Sequence, residues 1–149
     1  GGIVMICSGG FPITVNFNLP LAEMISAGHY DRVNDDITAE HFPIRGGGTA
    51  ELEAQLVHLN RLMESEDVLK ELDKNDLWPG TIPELLAFGA KYPELQRQFP
   101  IIAMGSVWQD PDAGRCVPGL WSDAGERGLG LDYFGGGGDV SERFLVFRK

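Results

Sequence analysis

Residues 99–149 read FPIIAMGSVWQDPDAGRCVPGLWSDAGERGLGLDYFGGGGDVSERFLVFRK, and this stretch decides the fold. Short apolar runs carrying tryptophan and tyrosine are separated by glycine- and aspartate-rich segments, the pattern of short strands joined by turns. Strands are expected over Ile101–Trp108, Val117–Trp121, Leu129–Tyr133 and Arg143–Arg148. In the last of these, Phe144 and Val146 share one face while Leu145 and Phe147 share the other. Apolar residues on both faces predict a central strand covered on both sides. The intervening loops Gln109–Arg115, Ser122–Gly128 and Phe134–Ser141, the last holding the glycine run Gly135–Gly138, then hang from a rigid sheet, a common setting for a binding surface.

Upstream, Phe11–Phe17 alternates, with Ile13, Val15 and Phe17 on one face of a strand. Leu19–Gly28 follows at helical spacing through Leu21, Met24 and Ile25, with Pro20 in the first turn and Gly28 past the last. His29–Arg45 is polar and irregular, anchored by Tyr30, Val33, Ile37, Phe42 and Ile44, and Gly46–Gly48 is a turn. Glu51–Leu59 fits two patterns: Leu52, Ala54 and Leu56 alternate as in a strand, while Leu52, Leu56, Leu59 and Met63 make a helical stripe. Ser65 is placed to cap a helix that buries Val68, Leu69 and Leu72 and ends near Asn75. Thr81-Ile82-Pro83-Glu84 is a capping box with proline in the first turn, opening a helix whose Leu85, Leu86 and Ala90 face inward until Tyr92-Pro93 breaks it. A short turn follows within Pro93–Gln98.

The 149 residues fit a single α+β domain, mostly an antiparallel sheet with two to three helices. Gly1-Gly2 is compatible with a tag remnant, and residues 1–10 with a flexible start. A net charge of −10 disfavours nucleic acid, whose phosphates need a basic footprint. Most of that charge lies in residues 1–104, with fifteen acids and seven bases. No apolar run approaches a membrane span, so no membrane partner is expected. Cys7 and Cys116 are too few and too far apart for a secreted disulfide framework, and two free thiols point to the cytoplasm.

YDRVNDDITAEHFPI, LVHLNR, LWPGTIPELLAFGAKYPELQRQFPIIAMGSVW, VPGLWSD and the terminal RFLVFRK together resemble a group of small uncharacterised bacterial proteins. The resemblance implies no activity, but it favours strand over helix at Glu51–Leu59. The second half is also similar to C-type-lectin-like modules: a helix-starting Thr-Ile-Pro-Glu-Leu, a Leu-Trp-Ser-Asp strand end, a glycine-rich loop and a closing Phe-Leu-Val-Phe-Arg strand. Gln109-Asp110-Pro111-Asp112 departs from that family's sugar motif and no Trp-Asn-Asp occurs, so calcium-dependent sugar binding is not implied.

The chemistry-bearing residues admit three functions. The first is a non-enzymatic binding or interaction module for a protein or small-molecule ligand, with no cofactor. Its site would lie on the C-terminal loops through Trp108, Asp110, Asp112, Arg115, Trp121, Asp123, Arg127 and Tyr133. The second is a small metal-dependent hydrolase using His29, Asp31, Asp35 and His41, imidazoles and carboxylates that suit zinc, manganese or iron but lack the i, i+4 spacing of a zinc-protease helix. The third is an acidic regulator of a basic partner. Asp110, Asp112, Asp123 and Asp132 are oxygen donors of the kind calcium takes, although Asp-Pro-Asp is equally an ordinary turn. Cys116 beside Arg115 has the setting of a reactive thiol or of a small buried one. Ser106, Ser122 and Ser141 have only His29, His41 and His58 as bases, all distant in the chain.

Overall fold

The computed structural model describes residues 2–135 and 140–149. Its elements run β1 (Met5–Asn16), α1 (Leu21–Ser26), β2 (Arg32–Val33), β3 (Thr49–Leu59), α2 (Ser65–Lys74), β4 (Leu77–Pro79), α3 (Ile82–Lys91), a 3-10 turn (Leu95–Arg97), β5 (Ile101–Ile102), β6 (Trp108–Asp110), β7 (Gly114–Asp123), β8 (Glu126–Tyr133) and β9 (Arg143–Arg148). The strands form one sheet in the order β1-β3-β9-β5-β7-β8-β2, with β4 also on β9 and β6 on β7. Pairing is antiparallel except for β5 with β9 and β2 with β8. Three helices and a mostly antiparallel sheet make an α+β domain, as expected. No helix among the described residues is long and apolar enough to cross a membrane.

The closing strand holds the sheet together. β9 pairs with β3 on one side and with β5 and β4 on the other. Its alternation divides two cores. Leu145 and Phe147 join Ile13, Val15, Leu56, Leu85 and Phe88 beneath α1 and α3, while Phe144 and Val146 join Val57, Val68, Leu72 and Ile102 beneath α2. A one-residue slip would exchange the two sets, so the register is strongly specified.

Residues 5–10, expected as a start to the chain before the first strand, form the outer half of β1, from Met5 opposite Leu59 to Gly9 opposite Gln55. A bulge between Gly9 and Phe11 then shifts the register. Glu51–Leu59 is strand, its inward faces filled by Ala54, Leu56, Val57 and Leu59.

Other expectations need correction. Ile101–Trp108 is two strands, because Gly105 turns the chain against Gly80, its N–H donating to the Gly80 carbonyl at 2.7 Å. A Cβ at Gly105 would fall 2.6 Å from that carbonyl oxygen. Glu64, one residue before Ser65, takes the cap position of α2, and its carbonyl accepts from Asp67 and Val68. Ala90 is exposed; Phe88 and Gly89 fill that face of α3 instead. Val33 is 38% exposed and joins neither core; it holds the segment to the sheet through β2, opposite Leu129.

The capping box of α3 forms. The Glu84 carboxylate accepts the Thr81 N–H at 2.8 Å and the Thr81 hydroxyl at 2.9 Å, while the Ile82 N–H donates to Ser106 Oγ at 2.8 Å. Burial pushes Glu84 above its usual value, and the bonds from Thr81 pull part of the way back.

Candidate functional site

The start of α3 borders an open cleft of about 320 Å³ lined by His41, Arg45, Thr81, Pro83, Ser106 and Val107 among others. The loop carrying His41 is shaped locally. Asn34 Oδ1 accepts the Asp36 N–H at 2.9 Å, Thr38 Oγ1 accepts the His41 N–H at 3.2 Å, and the Phe42 N–H returns to the Thr38 carbonyl at 2.9 Å. These side chains offer the backbone turns in place of helix or ladder. Phe42 and Ile37 enter the core beside α1 and α3, fixing the loop to the body.

His41 is oriented from two sides. Its ring stacks on Trp108, 3.9 Å between centroids and 11° from parallel. Its Nδ1 lies 2.7 Å from the Asp36 carbonyl oxygen, which only accepts, so Nδ1 carries the proton and Nε2 remains for another partner. Ser106, from the turn between β5 and β6, accepts from the first amide of α3 and keeps its own hydroxyl hydrogen to donate. Arg45 stands exposed on the same cleft. A guanidinium, an imidazole and a hydroxyl therefore line one concavity.

The expected C-terminal binding surface is dispersed. Trp108, Asp110, Asp112, Arg115 and Tyr133 lie near one end of the β7–β8 hairpin, where Cys116 pairs with Tyr133. Trp121, Asp123 and Arg127 lie at the other, where Asp123 pairs with Glu126 across a tight turn at Ala124-Gly125, both with positive φ. Seven steps of ladder put the two ends about 23 Å apart. The loops Gln109–Arg115 and Ser122–Gly128 thus cannot form one site. Of Phe134–Ser141, residues 136–139, and with them most of the Gly135–Gly138 run, lie outside the described residues.

Within those ends the roles also differ. Trp121 lies flat on β8: a Cβ at Gly128 would fall 2.1 Å from its ring and one at Gly130 2.7 Å from Nε1, so the two glycines make its seat. Arg127 is 5% exposed and its guanidinium donates to four protein acceptors, so it faces the interior and not a loop surface. Arg115 pairs with Glu66 at 2.7 Å and lies over the Phe134 ring. Asp110 Oδ1 accepts the Asp112 N–H at 3.0 Å, an ordinary turn, and Tyr133 is 42% exposed. Trp78 is 57% exposed beneath the Lys149 ammonium, outside both cores.

The four residues of the hydrolase reading do not converge on one site. Asp31 Oδ2 accepts the Arg127 backbone N–H at 2.7 Å, His41 faces Asp36 and Trp108, and His29 is an exposed residue with positive φ beyond α1. Asp35 is exposed on the turn between them. Among the described residues, no group of three or more His, Cys, Asp or Glu is placed to hold a metal ion. The aspartates considered for calcium are likewise split, with Asp123 at the far end of the hairpin from Asp110 and Asp112. Asp132 instead hydrogen-bonds Glu142, and burial raises it above the usual aspartate value.

Both cysteines are free. Cys116 is buried, its thiol donates to the Trp108 carbonyl, and burial followed by Asp110 and Asp36 raises it, so the lowered thiol that Arg115 suggested is not present. His58 bonds the Val140 carbonyl at 2.9 Å. His41 and Ser106 share the cleft although 65 positions separate them in sequence, which is why local patterning did not join them. Arg45 carried no signal beyond a charge beside a glycine turn. Comparison of this chain with protein-family models, with curated proteins and with solved structures finds no significant match.

Proposed function

We propose that the protein is a non-enzymatic binding module that holds a small anionic ligand in the cleft between His41, Arg45 and Ser106. One observation carries this reading: an exposed guanidinium, that of Arg45, lines one concavity with the Ser106 hydroxyl in a chain of net charge −10. A guanidinium offers a planar pair of donors suited to carboxylate or phosphate oxygens. Ser106 adds a hydroxyl held by the first amide of α3, and the Trp108 stack fixes the imidazole before any ligand arrives. A site built in advance loses less entropy on binding. This places recognition beside α3 and not on the C-terminal loops. The unpaired thiols support a reducing, cytoplasmic setting, and we retain a C-type-lectin-like second half as an expectation from its motifs.

Titration with inorganic phosphate and with citrate, followed by amide chemical shifts, tests the site. Saturable shifts at His41, Ser106 and Val107 are expected, weakened at least tenfold by Arg45→Ala. Arg32→Ala, which removes an exposed arginine paired with Glu126, should leave binding unchanged. Absence of saturation with either anion, or equal weakening by both variants, would overturn the assignment.

A further inference from the structure

On the opposite flank of α3, sharing only Pro83 with the first cleft, lies a larger open cavity of about 430 Å³. Val15 of β1, Leu19, Met24 of α1 and Leu86 of α3 supply its apolar wall, and Thr14 adds a hydroxyl. Among the described residues, Lys91 is the one charged side chain lining it. Its ammonium is held at the cavity by the Pro12 carbonyl, to which Nζ donates at 2.8 Å, and no carboxylate pairs with it among the described residues. Pro12 is suited to that task. It sits on the edge strand where its missing N–H is not needed, and its carbonyl also accepts the Tyr92 hydroxyl at 2.7 Å.

We propose that this cavity binds an amphipathic monocarboxylate, an acid with a medium-length apolar body. Apolar walls with few polar groups, at this volume, are the ordinary make-up of a small-ligand site. The wall takes the hydrocarbon body, whose burial drives binding. The carboxylate meets Lys91, a cation already positioned at the cavity with donors to spare, since an ammonium has three and the Pro12 carbonyl occupies one. Charge complementarity selects the sign: a cationic amphiphile of the same length would meet Lys91 as a like charge. This assignment uses none of the residues of the first cleft except the shared Pro83, so either can fail alone.

The full chain is titrated with octanoate, octanol and octyltrimethylammonium, observing the Met24 and Leu86 methyl signals. Octanoate should shift them saturably and bind at least tenfold more tightly than the other two. Lys91→Ala should erase that preference and leave weak octanol binding in place, whereas Ala87→Leu, which fills part of the cavity, should weaken all three. If Ala87→Leu fails to fold, the Lys91→Ala result decides alone. Equal affinity for the three amphiphiles, unchanged octanoate binding by Lys91→Ala, or no shift at all overturns the proposal. Methyl shifts that depend on protein concentration without ligand would overturn it too, in favour of a second copy of the chain.

Discussion

At the Asp123–Glu126 end of the β7–β8 hairpin, Arg127 is buried and its guanidinium reaches the carbonyls of Gly28 at 2.6 Å, Pro93 at 3.0 Å and Gly89 at 3.1 Å, and Gln96 Oε1 at 2.9 Å. At the Gly114–Tyr133 end, Arg115 is exposed and holds one carboxylate, Glu66, and one aromatic face, Phe134. The two arginines are twelve residues apart and serve different links of the chain from sequence to function. Arg127 joins the end of α1, α3 and the 3-10 turn to the sheet. Gln96, 1% exposed, extends that junction by donating to the Trp121 and Gly128 carbonyls. Arg115 adjusts a surface. An arginine is structural where carbonyl acceptors converge on it and water is excluded; where water remains, its contacts count for little.

The largest expected effect tests the buried end. Arg127→Met keeps much of the side-chain volume but leaves the Gly28, Gly89 and Pro93 carbonyls and Gln96 Oε1 without their donor. Leaving a buried acceptor without its donor costs about 1–3 kcal/mol for each group, and four such groups make a large part of a total stability of about 5–15 kcal/mol. Urea melts should show that loss, and amide exchange should rise first at Gly28, Gly89 and Gln96. A variant melting at the parent midpoint would mean that water replaces the guanidinium, and the contrast between the two ends would collapse.

Tyr30 gives a finer test at the same end. Its ring lies under the Arg127 guanidinium, 4.9 Å away, yet its hydroxyl is buried with no hydrogen-bond partner among the described residues. Burial pushes the phenol up to about 12, with Arg127 pulling the other way. An unpaired buried hydroxyl costs about 1–3 kcal/mol, so Tyr30→Phe should raise stability by about 1 kcal/mol while keeping the ring against Arg127. A fall in the urea midpoint would show that the hydroxyl has a partner and that this junction is more polar than the contacts imply.

The same comparison shows how much the sequence discloses. Phe144–Phe147 announces a strand covered on both faces because period-two alternation is a local property, and the capping box at Thr81–Glu84 is local too. Arg127 sits in ERGLGLDY, where a charged residue beside glycines has the pattern of an exposed turn. Its burial depends on carbonyls from Gly28, Gly89 and Pro93, which no window on the chain contains. Trp121 is a partial case: Gly128 and Gly130 are visible at alternate positions, but only the hairpin register puts the indole on them. The two clefts are least legible, since His41 meets Ser106, and Lys91 meets Pro12, through tertiary packing alone.

The smallest expected effect lies at the exposed end. Arg115→Ala removes the hydrogen bond and the charge that hold the Glu66 carboxyl below its usual value of 4.5. A carboxyl depressed in the folded state stabilises it above the unfolded value, and that contribution disappears as pH falls through the folded value. The pair is exposed on both sides, so screening leaves little of it. At pH 7 and low salt the variant should melt marginally below the parent, and the difference should vanish both in high salt and on acidification through the range just below 4.5. The Phe134 stacking does not involve the Glu66 carboxyl and would survive acid. A deficit that persists unchanged in acid would therefore transfer the contribution of Arg115 from Glu66 to Phe134. A deficit as large as that of Arg127→Met would make the exposed end a second junction, with Arg115 fastening α2 to the hairpin as Arg127 fastens α3.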